Sequence, residues 1–344
     1  MIMTLIYFIL ILGITVMIHE FGHYMWAKKM GLYVYEFSIG MGPRLFKWNR
    51  TNDETEYSIR LLPIGGYVSL AGEIADDNIP KGMRLQDKNF FEKFIITVAG
   101  VVNNFILAFI LLFIIGLFTG YTNTKPIIEE VSKDSSAYNV GIQKNDQIVK
   151  INGKNTNNID KLLLELQTIE NDNIKLGVLR DSKYYEYDMS LDREDVDGKV
   201  TYHIGFTLNS DNTKGILAAF KYATYKFASL VEQMVFIIIY LFSGRLSLNN
   251  LSGPVGIYVL VGTVSKEGLL NIIYLLAYIS LNVGIINLLP FPAFDGGRLF
   301  IYIIEKLIGR KVSQKLENGI NTVGFALLMI LMVYVTFNDI INLF

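Results

Sequence analysis

The chain has 344 residues, 51% of them hydrophobic and 18% charged, with a formal net charge of −1. Soluble proteins carry about 25% charged residues; here the apolar residues are also clustered, which points to a membrane protein, and the near-neutral balance offers no basic face for nucleic acid. There is no cysteine and there are three histidines, His19, His23 and His203, so disulfides, thiolate metal sites and a cysteine nucleophile are excluded and any transition-metal site must use His, Asp or Glu.

A spanning helix needs about 20 apolar residues, and Thr4–Trp26 supplies the first. It has no basic leader and no small-residue cleavage site, so it reads as a span rather than a signal peptide. The stretch "TVMIHEFGHYMWAKK" puts His19, Glu20 and His23 at its end. Imidazoles at i and i+4 share a helix face. They can reach one Zn²⁺, and the Glu between them can act as general base on a metal-bound water. A chance H-x-x-x-H is the bland alternative, but ionisable groups in lipid cost a few kcal/mol or more and argue for use. Thr4 to His19 is about 22 Å of helix, so in a core about 30 Å thick the cluster lies within roughly 10 Å of the far face. Lys28 and Lys29 follow, and the positive-inside bias makes that face cytosolic.

In the cytosolic loop from Lys28 to Lys93, "YEFSIGMGPRLFKW" and "EYSIRLLPIGGYVSL" read as strands broken by Gly and Pro. Phe94–Phe118 is the second span and leads outward. Residues 122–212 then form an extracytosolic α+β module. Ile127–Val131 and Gln147–Ile151 are its short strands, and "IDKLLLELQTI" is a helix with Leu162, Leu163, Leu166 and Ile169 on one side. Phe227–Phe242 is short and carries Glu232 and Gln233 near its start, so it reads as interfacial or re-entrant. Leu269–Leu289 and Thr322–Phe337 are the third and fourth spans. The 291–321 loop between them carries Arg298, Lys306, Arg310, Lys311 and Lys315 and reads as cytosolic. The expected division is an N-terminal membrane part (1–121), the module (122–212) and a C-terminal membrane part (213–344).

Two histidines and a water leave one position on a tetrahedral zinc. Cysteine is absent and His203 falls in the extracytosolic module, so a carboxylate near the cytosolic end of another span is required. Asp295 in "NLLPFPAFDGGRLF" fits, with Pro290 and Pro292 breaking the helix and Gly296 and Gly297 permitting a tight backbone. The alternative for Asp295 is a helix N-cap.

H-E-F-G-H in a first span, with N-x-x-P-x-P-x-x-D-G-G after a later one, resembles the site-2 protease family of intramembrane zinc metalloproteases, in its bacterial branch active in regulated intramembrane proteolysis. The segments "FSIGMGPRLF", "LPIGGYVSLAGE", "AGVVNNFILA", "LSGPVGI" and "SLNVGIINLLPFPAFDGGRL" extend the resemblance along nearly the whole chain. One departure is Phe294, where the family usually has Leu before the aspartate. The resemblance implies zinc ligands His19, His23 and Asp295 and a catalytic base at Glu20. It implies that Asn282, Asn287, Pro290 and Pro292 hold an unwound substrate segment, with plain interhelical hydrogen bonding the alternative for the two Asn. It implies that the Gly-rich hairpin is a membrane-associated β-region pairing with substrate backbone. The module resembles a circularly permuted PDZ domain through "NVGIQKNDQIVKING", with Asn145 where Gly is commoner. There Ile204, Gly205 and Phe206 of "HIGF" would bind a peptide terminus, or else are ordinary strand residues.

The expected architecture is a polytopic α-helical membrane protein of about four transmembrane helices, with a membrane-associated β-hairpin region and an inserted α+β PDZ-like domain. The expected function is a zinc endopeptidase of the bacterial plasma membrane. It would cleave transmembrane segments of single-span membrane proteins, such as anti-sigma factors or signal-peptide remnants, with Zn²⁺ as cofactor, the lipid bilayer as surroundings and no nucleic-acid partner. The rival is an inactive PDZ-bearing scaffold or chaperone with a structural metal site. The intact Glu20 argues against it, because structural zinc closes with four protein ligands and needs no base. A metal transporter would want ionisable residues along several spans, and these spans have few.

Overall fold

The computed structural model describes residues 2–51, 53–72, 79–122, 125–156, 158–167, 173–196, 199–209, 212–247 and 251–341. The chain divides into two compact units, one made of Met1–Ile115 and Met234–Phe344, the other of Gly116–Gln233.

The first unit opens with helix α1 (Ile2–Lys29), strands β1 (Val34–Asn49) and β2 (Glu56–Leu70), and helix α2 (Phe90–Thr119). Buried positions on α1 are Ile11, Thr15, His19, Gly22, His23 and Ala27, one stripe at spacings of three and four. Leu5, Ile6, Leu10, Phe21 and Met25 are exposed on its other faces. The stripe meets α2 at close range, because a Cβ on Gly22 would run into the Ala99 carbonyl and lie 2.9 Å from Gly100 Cα. Small residues let two helix backbones approach in this way.

Strands β1 and β2 are long enough to fold back on themselves. Phe37 is partnered by both Val68 and Tyr57, and Ile39 by both Gly66 and Ile59. Across the sheet the rows are therefore 66–70, 34–39, 56–59 and 44–49. Gly40 (φ 89°) and Gly65 (φ 79°) sit at the bends, in conformations a side chain resists. The expected strands are present, but each is doubled.

The second unit contains β3 (Tyr121–Thr122), β4 (Ile128–Val131), α3 (Ser136–Asn139), β5 (Gln147–Ile151), β6 (Lys154–Asn155), α4 (Ile159–Gln167), β7 (Asn173–Arg180), β8 (Lys183–Ser190), β9 (Asp192–Val196), β10 (Lys199–His203), β11 (Phe206–Leu208) and β12 (Asn212–Thr213). A sheet ordered β6-β5-β7-β8 and the pair β11-β4 enclose a core of Ile128, Ile148, Ile151, Leu162, Ile174, Leu176 and Val178. On α4, Leu162 is buried and Leu166 packs against that core, but Leu163 is 47% exposed. The expectation that Leu163 shares their face is corrected: one residue on from Leu162 is a 100° turn, which carries it outward. Ile169 lies outside the described residues.

Helix α5 (Ile216–Phe242) follows, then α6 (Pro254–Val264), α7 (Leu269–Leu288), α8 (Asp295–Ile308) and α9 (Gln314–Ile341). The segment expected at 227–242 is part of a helix of 27 residues, because "ILAAFKYATY" continues it backward with good helix formers. Among the described residues, five helices are long and apolar enough to cross a membrane: α1, α2, α5, α7 and most of α9. The 291–321 loop is also more ordered than expected, holding α8 and the first two turns of α9. In the first unit, Ile11 of α1, Val261 of α6 and Ile272, Leu275 and Ile279 of α7 form one apolar cluster.

Candidate metal centre

His19 and His23 stand one above the other on the buried face of α1, with Nε2 atoms 3.2 Å apart. Asp295 comes from the other end of the sequence. After α7 the chain turns through Pro290–Phe294, and α8 starts at Asp295. The turn is tight: a Cβ on Gly296 would strike the carbonyls of Leu288 and Leu289, and one on Gly297 would strike that of Phe291. The N-cap position belongs to Phe294 and has no side-chain cap, so Asp295 does not serve as the cap. Its Oδ2 lies 3.0 Å from His19 Nε2 and 3.3 Å from His23 Nε2.

These three atoms fit a zinc ion. Bonds of about 2.0–2.1 Å in a tetrahedron place ligand atoms roughly 3.3 Å apart, close to the three separations observed. Asp295 Oδ2 is buried and makes no well-formed hydrogen bond, although both imidazoles are near; the three ligand atoms all lie within 4.8 Å of one another. His23 Nδ1 lies 2.8 Å from the Ile96 carbonyl. A proton on Nδ1 donated there leaves the Nε2 lone pair facing the cluster, the usual orientation of a ligating imidazole.

The triad opens into a cavity of about 790 Å³, which Glu20 also lines. The Glu20 carboxylate accepts a hydrogen bond from the Val68 N–H at 3.2 Å. Val68 belongs to row 66–70, whose inner side pairs with β1, so its outer edge faces the cavity. Asn287 lines the same space. Asn282, Pro290 and Pro292 are not among the lining residues. Asn282 Oδ1 is buried without a partner, and Pro292 packs against Gly324 of α9. In the second unit, Ile204 and Phe206 pack their side chains against the core. Gly205, at φ 80°, accepts hydrogen bonds on its carbonyl from Ser132 N and Ser135 Oγ.

Several residues at the centre had no role assigned from sequence. A Cβ on Gly100 would run into His23 Nε2 and lie 2.8 Å from His19 Cε1. Thr97, Asn318, Asn321 and Thr322 contribute polar groups to the cavity wall. Gly100 lies in "AGVVNNFILA", so a signal was present without a role attached.

A sequence profile of peptidase family M50 matches residues 7–331. The chain belongs to peptidase family M50. A Clostridium acetobutylicum protein provisionally named zinc metalloprotease CA_C1796 is 33% identical over 333 residues, covering 97% of this chain and 96% of the relative. The zinc metalloprotease RasP of Bacillus licheniformis is 29% identical, covering 99% of each chain. The regulator of sigma-W protease RasP of Bacillus subtilis is 28% identical, again covering 99% of each. This M50 peptidase is a zinc metalloprotease of the site-2 type, with Zn²⁺ as its cofactor. Its apolar helices make it a multi-pass bacterial membrane protein.

Proposed function

We propose that this site-2 protease holds zinc through His19, His23 and Asp295 and uses Glu20 as general base to cleave transmembrane segments of single-span membrane proteins. The observation that carries the reading is the convergence of three ligand atoms at 3.0–3.3 Å in a cavity that Glu20 shares. Bound there, zinc supplies Lewis acidity and brings the pKa of a coordinated water to about 7. Glu20 takes a proton from the attacking water and returns it to the leaving amine. The edge 66–70 supports a substrate route: an unwound helix exposes N–H and C=O groups that a free strand edge can pair. Asn287 stands where such a segment would lie, while Pro290 and Pro292 act behind it by shaping the turn; Asn282, inside α7, is read as a substrate contact or an interhelical hydrogen-bonding group. The hairpin leaves Met41, Leu45, Phe46, Leu61 and Leu62 exposed, an apolar face suited to lipid.

The Lys/Arg distribution supports a reading with the 122–212 module outside and the metal-bearing ends in the cytosol. Because His19 and Asp295 share one site, the chain between α2 and α7 crosses an even number of times. Helix α6, with 11 residues, reaches about 16 Å, too short for a core of about 30 Å. Four crossings follow, with α5 lying along the outer face. Its Lys226 pairs with Asp160 at 2.9 Å and its Glu232 with Lys161 at 2.9 Å, partners suited to water rather than lipid. The module is read as PDZ-like, its Ile204–Phe206 backbone offered to a peptide terminus. The sigma-W regulation in the name of the Bacillus subtilis relative makes membrane anti-sigma factors the first substrate class to test, in regulated intramembrane proteolysis, with signal-peptide remnants second.

The test compares purified wild type with Glu20→Gln for zinc content and for cleavage of a single-span reporter. Zinc is expected to stay near one per chain while turnover falls about 10²–10⁴-fold. Near-normal cleavage by Glu20→Gln would sink the assignment.

A further inference from the structure

The two histidines of the triad differ in what holds their outer nitrogen. His23 Nδ1 has a carbonyl at 2.8 Å. His19 Nδ1 faces the side chain of Asn104, with Nδ2 at 3.4 Å. Asn104 is fully buried on α2, and its Oδ1 is buried with no hydrogen-bond partner. A buried amide oxygen without a partner costs about 1–3 kcal/mol. With Nδ2 toward the ring, Asn104 would donate to Nδ1, so the ring proton of neutral His19 would sit on Nε2, the atom that faces Asp295. A protonated Nε2 has no lone pair for a metal. The two ends of an amide have the same shape, and the hydrogen-bond network decides between them. A half-turn about χ2 answers both difficulties: Oδ1 gains the Nδ1–H as its donor, and Nε2 is left bare.

We propose that Asn104 is the positioning partner of His19, its Oδ1 accepting the Nδ1–H so that Nε2 keeps its lone pair for zinc. The proposal rests on the reading of His19 as a ligand. Asn104 is itself held in place. Its backbone carbonyl accepts the Ser280 hydroxyl at 3.0 Å, and Ser280 is fully buried on α7. Its neighbour Asn103 donates from Nδ2 to the Ile18 carbonyl at 3.3 Å. The amide is thus fixed against α1 and against the helix that leads to Asp295. Partners of this kind set both the tautomer and the orientation of a metal-bound imidazole, and their removal typically costs 10–100-fold in metal affinity.

The test uses the full-length protein in detergent and reads zinc affinity by chelator competition. Asn104→Ala is expected to weaken zinc about 10–100-fold. Asn104→Asp, an isosteric side chain that in its ionised form can only accept, is expected to restore affinity to within about threefold of wild type. An Asp variant as weak as the Ala variant, or an Ala variant as tight as wild type, overturns the proposal. If His19→Ala binds zinc like wild type, the ligand reading fails instead; loss of zinc in His19→Ala with none in Asn104→Ala removes the positioning role alone. A measurement free of substitutions at the site is ¹⁵N-histidine NMR, since the chain has three histidines. A proton on Nδ1 of His19, hydrogen-bonded and shifted downfield, supports the assignment, and a proton on Nε2 rules it out.

Discussion

Gly100 acts by having no side chain. A Cβ there would occupy space held by His23 Nε2 and press on His19 Cε1. Gly100→Ala is therefore expected to lower zinc affinity at least about tenfold, on the scale seen when the surroundings of a metal ligand are disturbed. Chelator competition measures it, with Gly319→Ala as control, since no atom lies within 4 Å of a Cβ built there. Equal affinities in both variants would remove the steric argument. Sequence made the candidate ligands legible because metal chemistry demands rare residue types at fixed spacing. His19, Glu20 and His23 stand within one turn and a half, and the absence of cysteine narrowed the third ligand to a carboxylate. Gly100 and Asn104 carry no such mark. Their roles come from a helix crossing with partners 77 to 85 positions away, and no local pattern encodes that crossing.

The β1–β2 hairpin shows the same limit in an element. Its strands are visible in the β-rich runs between Gly and Pro, but the doubled sheet encloses a buried charge that no period reveals. Glu36, inside the sheet, is held by Arg60 at 2.8 Å, Arg44 at 3.0 Å and Ser58 at 2.5 Å, and by Tyr67. Burial pushes its carboxyl up, but the hydrogen bonds from Ser58, Tyr67 and Arg60 outweigh this and hold it below the usual value. A carboxyl depressed in the folded state contributes fully above its unfolded pKa, about 4.3, and loses that contribution as pH falls through the folded value. Protection against hydrogen exchange in residues 34–70, taken relative to the intrinsic amide rate at each pH, is thus expected to fall below about pH 4 in wild type, and this acid step is expected to vanish in Glu36→Gln. Glu36→Ala, which takes the anion from a partly buried Arg60, is expected to destabilise the sheet by roughly 1–3 kcal/mol, read by limited proteolysis. On the outer edge, Val68→Pro deletes the N–H that faces Glu20 in a row where proline is tolerated. Zinc content should hold and cleavage should fall; unchanged cleavage would deny the edge its part in substrate pairing.

For the whole molecule, the absence of cysteine makes sidedness directly testable, because each introduced thiol is the sole one. A Cys at Lys154 is expected to react with an impermeant reagent in intact spheroplasts, and a Cys at Arg310 only after permeabilisation. The reverse pattern would overturn the topology. The inserted module is read as a size filter against substrates with large outer domains. Replacing 124–208 with a flexible linker should then spare zinc binding and cleavage of a short substrate while admitting an untrimmed precursor. A folded, zinc-loaded deletion protein that still rejects the precursor would make the module a docking site instead. The spans were legible from apolar length alone, but their number was not, because α5 has the length of a span and the partners of a surface helix. The triad also has a consequence in time. Its first two members lie at positions 19 and 23 and its third at 295, so at roughly 5–20 residues per second a nascent chain waits about 14–54 s between them. Throughout that interval the growing polypeptide passes the insertion machinery, itself built of membrane helices, with its cutting site incomplete. With the ligand set proposed above, this order would leave a new chain unable to cut until Asp295 is in place.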